Sequence, residues 1–156
     1  VAPCYLFFMG NPETKLWKDL REGTKELGVF WTRIESWAMP GIPDVHGIKN
    51  GKSFWLELKV SNLKSLKSLN LRPHQISWQT QYFLNGGQVW NLAKLPSART
   101  LYLFRGDKSL LLGKGLTGGE TPLPDWTCPA PYDWTGLLHH ILSHPSHSGK
   151  RKIVPL

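Results

Sequence analysis

Hydrophobic side chains recur at helical spacing near the start of the sequence. This apolar stripe consists of Leu16, Trp17, Leu20 and Leu27. Asn11 can cap the helix, because its side chain can accept a hydrogen bond from a backbone N–H of the first turn, and Pro12 suits the first helical position. Gly28 is typical of the residue that follows a helix. The pattern predicts a first helix that begins at Pro12 and ends at Gly28.

Strict alternation replaces helical spacing in the middle of the chain. One face of the segment from Ser53 to Val60 carries Phe54, Leu56 and Leu58, and the other carries Ser53, Trp55, Glu57 and Lys59. This period of two predicts a strand with one buried face. Asn50-Gly51 is a strong signal for a type I′ turn, because both central residues of that turn need positive φ. We therefore expect a hairpin made of Asp44–Ile48 and Ser53–Val60.

The rest of the chain predicts further strands and helices around this hairpin. The predicted elements are a strand at Val29–Glu35, a helix at Pro73–Leu84 that ends at Gly86-Gly87, strands at Gln88–Ala93, Thr100–Phe104 and Ser109–Leu112, and a helix at Tyr132–Leu142. Their order predicts an α/β protein with a mixed central β-sheet flanked by helices. We expect residues 1–156 to form one domain, with a core at about 11–112, an irregular Gly- and Pro-rich segment at 113–131, and a helix with a basic tail at 132–156.

The tight turn also fixes how the two hairpin strands pair. The register places Lys49 opposite Lys52, Ile48 opposite Ser53, and His46 opposite Trp55. The next pair on that face is Asp44 and Glu57. Directly opposed Cβ atoms lie about 4.5–5.5 Å apart, and like charges there are destabilising. A divalent cation between the carboxylates removes the repulsion, and Mg²⁺ is typically held by one or two carboxylates together with water and substrate phosphate.

These residues predict metal-dependent hydrolysis of a phosphodiester. Asp44, Glu57 and the backbone carbonyl of Leu58 are candidate ligands of Mg²⁺ or Mn²⁺, which would stabilise charge on the phosphate and help to ionise the attacking water. Lys59 lies two residues beyond Glu57 on the same face, where it can position the water, act as its base or bind the phosphate. The alternative is that Asp44 is a turn residue and that Glu57 and Lys59 are solvent-facing charges.

The charge of the chain favours a polyanionic partner. The formal net charge is +8, and basic surfaces bind nucleic acid through phosphate contacts that do not depend on sequence. Candidate DNA contacts are Lys64, Lys67, Arg72, Lys150, Arg151 and Lys152. No apolar run has the length that a membrane span needs. Two widely separated cysteines, Cys4 and Cys128, favour a reduced, cytoplasmic chain.

The sequence around the hairpin resembles a known nuclease superfamily. Gly41-Ile42-Pro43-Asp44 followed by Trp55-Leu56-Glu57-Leu58-Lys59 resembles the two half-motifs of the PD-(D/E)XK nucleases. Three further features are similar to its VRR-NUC-type branch, which is common in small phage proteins: Arg33-Ile34-Glu35, the segment Gln75-Ile76-Ser77-Trp78, and Gly86-Gly87. The resemblance covers about residues 11–95.

This resemblance implies a restriction-endonuclease-like core and an endonuclease that cuts structured or branched DNA, as Holliday-junction-resolvase-like enzymes do. It implies catalytic roles for Asp44, Glu57 and Lys59, and a position for Gln75 near the metal or the scissile phosphate. Related resolvases often take an additional acid from the first helix, which nominates Glu13. Glu35 is the rival, because it lies shortly before the first half-motif.

The resemblance also bears on partners and location. Relatives of this size are often homodimers, and three tryptophans are candidates for the interface: Trp31, Trp37 and Trp90. If the chain is phage-encoded, we expect it in the host cytoplasm. Two alternatives remain, namely a catalytically silent nucleic-acid-binding module and a virion-associated structural protein. The intact Asp44, Glu57 and Lys59 argue against the silent module.

Overall fold

The computed structural model describes residues 11–35, 38–61, 69–113 and 122–145. Its helices are Pro12–Thr24 (α1), Pro73–Leu84 (α2), Ser109–Gly113 (α3) and Trp134–Ser143 (α4), and 3₁₀ turns span Pro96–Ala98 and Gly106–Lys108. Its strands are Phe30–Arg33 (β1), Val45–Lys49 (β2), Lys52–Val60 (β3), Val89–Leu95 (β4), Thr100–Arg105 (β5) and Trp126–Pro129 (β6). None of these helices is both long and apolar enough to cross a membrane.

The strands form one mixed sheet in the order β1-β2-β3-β4-β5-β6. Strands β3 and β4 run parallel, and the other neighbouring pairs run antiparallel. A parallel pair requires a crossover connection, and the connection between β3 and β4 contains α2. The predicted fold class is therefore confirmed: the protein is α/β, with a mixed central sheet flanked by helices.

Helices pack on both faces of this sheet. Helices α1 and α4 cover the face that carries Phe54, Leu56 and Leu58, and together they form the larger hydrophobic core. Helix α2 and the short helix α3 pack on the opposite face, where Ile76 contacts a second core that contains Ala93, Phe104 and Leu112. Because β3 lies between these layers, its end carrying Glu57 and Lys59 is enclosed from both sides.

The hairpin follows the predicted turn and register. Asn50 has φ of 50° and Gly51 has φ of 75°, as a type I′ turn requires. Pairing begins at Lys49 and Lys52 and runs without a bulge to Val45 and Leu56. The next position along each strand is Asp44 on one side and Glu57 on the other. The turn therefore brings the two acids to the same end of the hairpin.

Two predictions are corrected: the end of the first helix, and the irregular conformation of the whole segment 113–131. Helix α1 ends at Thr24 and not at Gly28, which has φ of 72° in the turn before β1. The Thr24 hydroxyl donates to the Leu20 carbonyl oxygen at 2.7 Å and accepts from Trp31 Nε1 at 3.0 Å. These bonds tie the last helical turn to β1. Within the segment predicted to be irregular, residues Trp126–Pro129 form strand β6, which pairs with β5.

The predicted strand at Ser109–Leu112 is wrong, because these residues belong to helix α3. Ser109 and Leu112 are buried, while Leu110 and Leu111 are about half exposed. Buried positions three residues apart fit a helical turn and not the alternation of a strand. Trp90, one of the three tryptophans predicted for the interface, is corrected, because it is fully buried. Trp31 is partly exposed and packs edge-on against Trp17 and Phe54, and its place in an interface stays a prediction. Trp37 lies outside the described residues.

A buried pair of amides fastens α2 to the sheet beside the hairpin. Gln79 Nε2 donates to Asn91 Oδ1 at 2.8 Å, and Asn91 Nδ2 donates to Gln79 Oε1 at 2.8 Å. Both side chains are fully buried. Asn91 is paired with Glu57 across β3 and β4. The amide pair therefore fixes the distance between α2 and the strand that carries the candidate acid.

We expect Asn91→Ala to lower the free energy of unfolding by about 2–4 kcal/mol, because it leaves the Gln79 amide buried without a partner and opens a small cavity. Replacing both partners, as Gln79→Leu with Asn91→Leu, should recover most of this loss. Urea denaturation of the two variants and the parent measures the difference. Gln81→Ala, at an exposed glutamine of the same helix, should change little. Equal stability of Asn91→Ala and the parent would contradict the role of the pair.

Candidate active site

Asp44 is held at the point where the pairing of β2 ends. The preceding loop turns at Gly41, which has φ of 98°, and a Cβ added there would lie 2.5 Å from the His74 carbonyl oxygen at the start of α2. The Asp44 carbonyl oxygen accepts from the Ile34 N–H at 2.8 Å. Its side-chain Oδ2 accepts from the Leu58 N–H at 2.8 Å. Contacts from the two neighbouring chain segments thus fix the backbone and the carboxylate of Asp44.

Glu57 is a buried acid directly beside Asp44. It is 3% exposed, and it lies across from Asp44, one position beyond the last paired residues of the hairpin. Burial and then the Asp44 charge raise the pKa of Glu57 to about 8. Burial also raises the pKa of Asp44, against the opposing effects of the Leu58 hydrogen bond and the Lys59 charge. Both acids therefore resist ionisation, and a cation between them would favour it.

Gln75 and Lys59 complete a contact network around Glu57. Gln75 Nε2 donates to Glu57 Oε1 at 2.7 Å, while Gln75 Oε1 accepts from the Arg72 N–H at 2.9 Å. Lys59 Nζ lies 3.6 Å from Glu57 Oε1 and 3.4 Å from Gln75 Oε1. The Lys59 side chain is 18% exposed. The structure thus brings three predicted site residues together with Asp44 at one end of β3.

The two candidates for an additional acid occupy different environments. Glu35 is 82% exposed, and its Oε1 lies 3.9 Å from Arg33 Nε. Glu13 instead lies at the start of α1, where its Oε1 accepts from the Val60 N–H at 3.4 Å. Its charge contributes to the raised pKa of Asp44. Glu13 therefore lies beside the acid pair, and Glu35 forms a surface ion pair.

Arg33 is a charged neighbour of the site to which the sequence assigned no role. Its charge acts to lower the pKa of Asp44, and its Nη1 atom is buried with no hydrogen-bond partner among the described residues. The guanidinium also lies over the Trp17 ring at 5.9 Å. The signal in the sequence was its place on a strand of β-formers just before the acid motif. Arg33 therefore places positive charge beside Asp44.

The side chains fit a divalent ion of the Mg²⁺ type better than zinc. Among the described residues, no three His, Cys, Asp or Glu side chains converge on one point, so a zinc-like set of protein ligands is not formed there. Mg²⁺ keeps several waters and needs only one or two carboxylates, which Asp44 and Glu57 supply. Leu58 takes part through its backbone N–H, and its carbonyl as a ligand stays a prediction.

The other predicted binding residues are distributed unevenly. Arg72 is exposed at the start of α2, one turn from Gln75. The remaining basic candidates, Lys64, Lys67, Lys150, Arg151 and Lys152, lie outside the described residues.

His46 packs beside Trp55 with ring centroids 4.8 Å apart, and burial lowers its pKa. His46 is therefore a neutral ring next to the site at neutral pH.

Comparison with known proteins gives a likeness of fold. No protein-family model matches the chain, and no curated protein matches it significantly. Among solved structures, the chain is similar to a Holliday junction resolvase, Hjc, from the archaeal hyperthermophile Archaeoglobus fulgidus, with a TM-score of 0.47 and 16% identity. The match covers 76% of this chain and 88% of that one. At this identity, no residue role passes from that protein to this chain.

Proposed function

We propose that the protein is a metal-dependent endonuclease that hydrolyses DNA phosphodiester bonds. The observation that carries this proposal is a pair of neighbouring carboxylates, the buried Glu57 and the partly buried Asp44, held beside the Lys59 amine. Two neighbouring acids destabilise each other when both are charged, and the charge of Asp44 raises the pKa of Glu57. A fold that keeps them together beside a lysine, with Glu57 buried, suits a site whose charge is completed by a bound cation.

Each residue has a defined task in this proposal. Asp44 and Glu57 hold Mg²⁺ or Mn²⁺, which when bound stabilises charge on the phosphate and lowers the pKa of water. Lys59 orients the attacking water or binds the phosphate with its ammonium group. Gln75 holds the Glu57 carboxylate in place through the hydrogen bond at 2.7 Å. Arg33 supplies positive charge beside Asp44, and Glu13 is the additional acid.

DNA is the substrate class that the charge favours. A net charge of +8 attracts a polyanion, and such attraction weakens as salt is added. The preference for branched or structured DNA follows the sequence resemblance, as does a homodimer that presents two sites. A silent binding module and a virion structural protein also need positive charge, but neither needs a buried acid paired with a second acid beside a lysine.

We expect the purified protein to cut labelled four-way junctions or flaps in Mg²⁺ or Mn²⁺ and to cut nothing in EDTA. Fully paired duplex of matched sequence serves as the substrate control, and gel separation of the products gives the cleavage positions. Cleavage of the junction ahead of the duplex supports branched specificity. If no DNA is cut in either metal while binding persists, the silent module is the better description.

A further inference from the structure

Four ring side chains form a continuous surface on the α2 side of the sheet, which we call the aromatic face: His46, Trp55, Trp78 and Tyr82. Ring centroids are 4.8 Å apart for His46 and Trp55, and 5.5 Å apart for Trp55 and Trp78. Trp78 and Tyr82 stack with centroids 4.7 Å apart and planes 12° from parallel. All four side chains are partly exposed.

The aromatic face adjoins the candidate active site along three elements. His46 lies on β2, two residues after Asp44. Trp55 lies on β3, two residues before Glu57. Two residues of a strand span about 7 Å. Trp78 lies three residues after Gln75, so both side chains lie on one side of α2. The two nearest rings, His46 and Trp55, therefore lie about 7 Å along the strands from the acid pair.

These rings are held in place but do not form part of the hydrophobic core. Trp17, Trp31 and Trp90 pack in the core described above, whereas Trp55, Trp78 and Tyr82 belong to neither buried cluster among the described residues. Gly87 gives Tyr82 its room, because a Cβ there would lie 2.1 Å from the ring. Large rings that are fixed and yet partly exposed are suited to a flat aromatic ligand.

The surroundings of the rings suit a nucleic acid. Trp78 and Tyr82 line an open groove of about 510 Å³, whose other lining residues are Pro40, His74, Ser77, Gln81 and Asn85. None of these residues carries a carboxylate, and helix α2 contains no acidic residue. The exposed Arg72 stands at the start of the same helix. The groove thus presents aromatic and hydrogen-bonding groups without negative charge.

We propose that the aromatic face stacks an unpaired base next to the cleavage position, so that the preferred substrate is DNA with single-stranded nucleotides at a fork or flap. Bases of continuous duplex already stack on their neighbours, and only an unpaired base can offer its face to a side chain. The inference rests on the proposed function for its substrate class, because it takes DNA as the ligand and the acid pair as the cleavage site.

The test measures DNA binding in EDTA, where cleavage is blocked. Fluorescence anisotropy compares a forked DNA with a fully paired duplex, and 2-aminopurine at the first unpaired position reports stacking. Trp78→Ala should weaken binding of the fork roughly tenfold or more and leave duplex binding unchanged, with loss of the 2-aminopurine quenching. Trp78→Tyr should keep both the affinity for the fork and the 2-aminopurine quenching. Leu84→Ala, at an exposed apolar position of the same helix, should match the parent.

Equal weakening on fork and duplex, or no weakening on either, overturns the stacking proposal. It is also overturned if Trp78→Ala changes only the sedimentation mass, because the face would then be a contact between two copies of the chain. Tyr82→Leu provides a second variant if Trp78→Ala does not fold. Selective fork binding without any cleavage in Mn²⁺ would defeat the proposed nuclease and keep the stacking. Cleavage without selective binding of the fork would support the proposed nuclease and overturn the stacking proposal.

Discussion

Glu57→Gln is expected to lower the rate of DNA cleavage by about a thousandfold or more, with the fold intact. Glutamine has the shape of glutamate and can keep the hydrogen bond from Gln75 Nε2 to Oε1, but it lacks the charge that would hold the proposed metal. A bound metal supplies several kcal/mol of transition-state stabilisation, and each about 1.4 kcal/mol is a factor of ten in rate. Single-turnover cleavage of a labelled junction in Mg²⁺, with protein in excess over DNA, measures this loss.

The same substitution at two other glutamates gives matched controls. Glu13→Gln should lower the rate by less than Glu57→Gln, because Glu13 contacts the Val60 N–H and influences Asp44 only through its charge. Glu35→Gln should cut as the parent does, since Glu35 is exposed and paired with Arg33. Cleavage by Glu57→Gln at the parental rate would remove the basis of the proposed site. A larger loss at Glu35 than at Glu13 would reverse their assignment.

The hairpin could be predicted from the sequence because the residues that determine its turn and its register are close together in the chain. Asn50-Gly51 fixes the turn, and the alternation from Ser53 to Val60 fixes which side chains share a face. Those two signals were enough to bring Asp44 to the same end as Glu57, and the observed pairing to Val45 and Leu56 agrees. The helix at Pro73–Leu84 was equally local, with Pro73 at one end and Gly86-Gly87 after the other.

Burial and the choice between rival acids depend on contacts between distant elements. No local pattern in the sequence predicts that Glu57 is only 3% exposed, because its burial results from packing between layers of the fold. Likewise Glu13 and Glu35 differ in environment only once α1 has packed against β3. The helical conformation of Ser109–Leu112 was missed for the same reason, since which of its leucines is buried depends on α2.

The metal-free protein should lose stability relative to Glu57→Gln as the pH rises from about 5 to about 8. The pKa of Glu57 is raised from 4.5 to about 8 in the folded chain, so the folded state keeps a proton that the unfolded state releases. Stability from this group is fully present below the unfolded pKa and is lost as pH rises through the folded pKa. We expect the difference between the two proteins to change by on the order of 2–4 kcal/mol.

The difference between the variants matters because other groups act in the opposite direction. Burial lowers the pKa of His46 and of His140, so these histidines make the parent more stable as pH rises toward neutral, and they do so equally in Glu57→Gln. Urea denaturation in EDTA at several pH values gives both curves, and their difference isolates Glu57, which titrates together with Asp44. Adding Mg²⁺ near pH 8 should then stabilise the parent and not Glu57→Gln, because a ligand of the folded state alone stabilises it. Parallel pH curves for the two proteins would show that Glu57 is ionised in the metal-free fold. Burial of Glu57 would then give no reason to expect a bound cation.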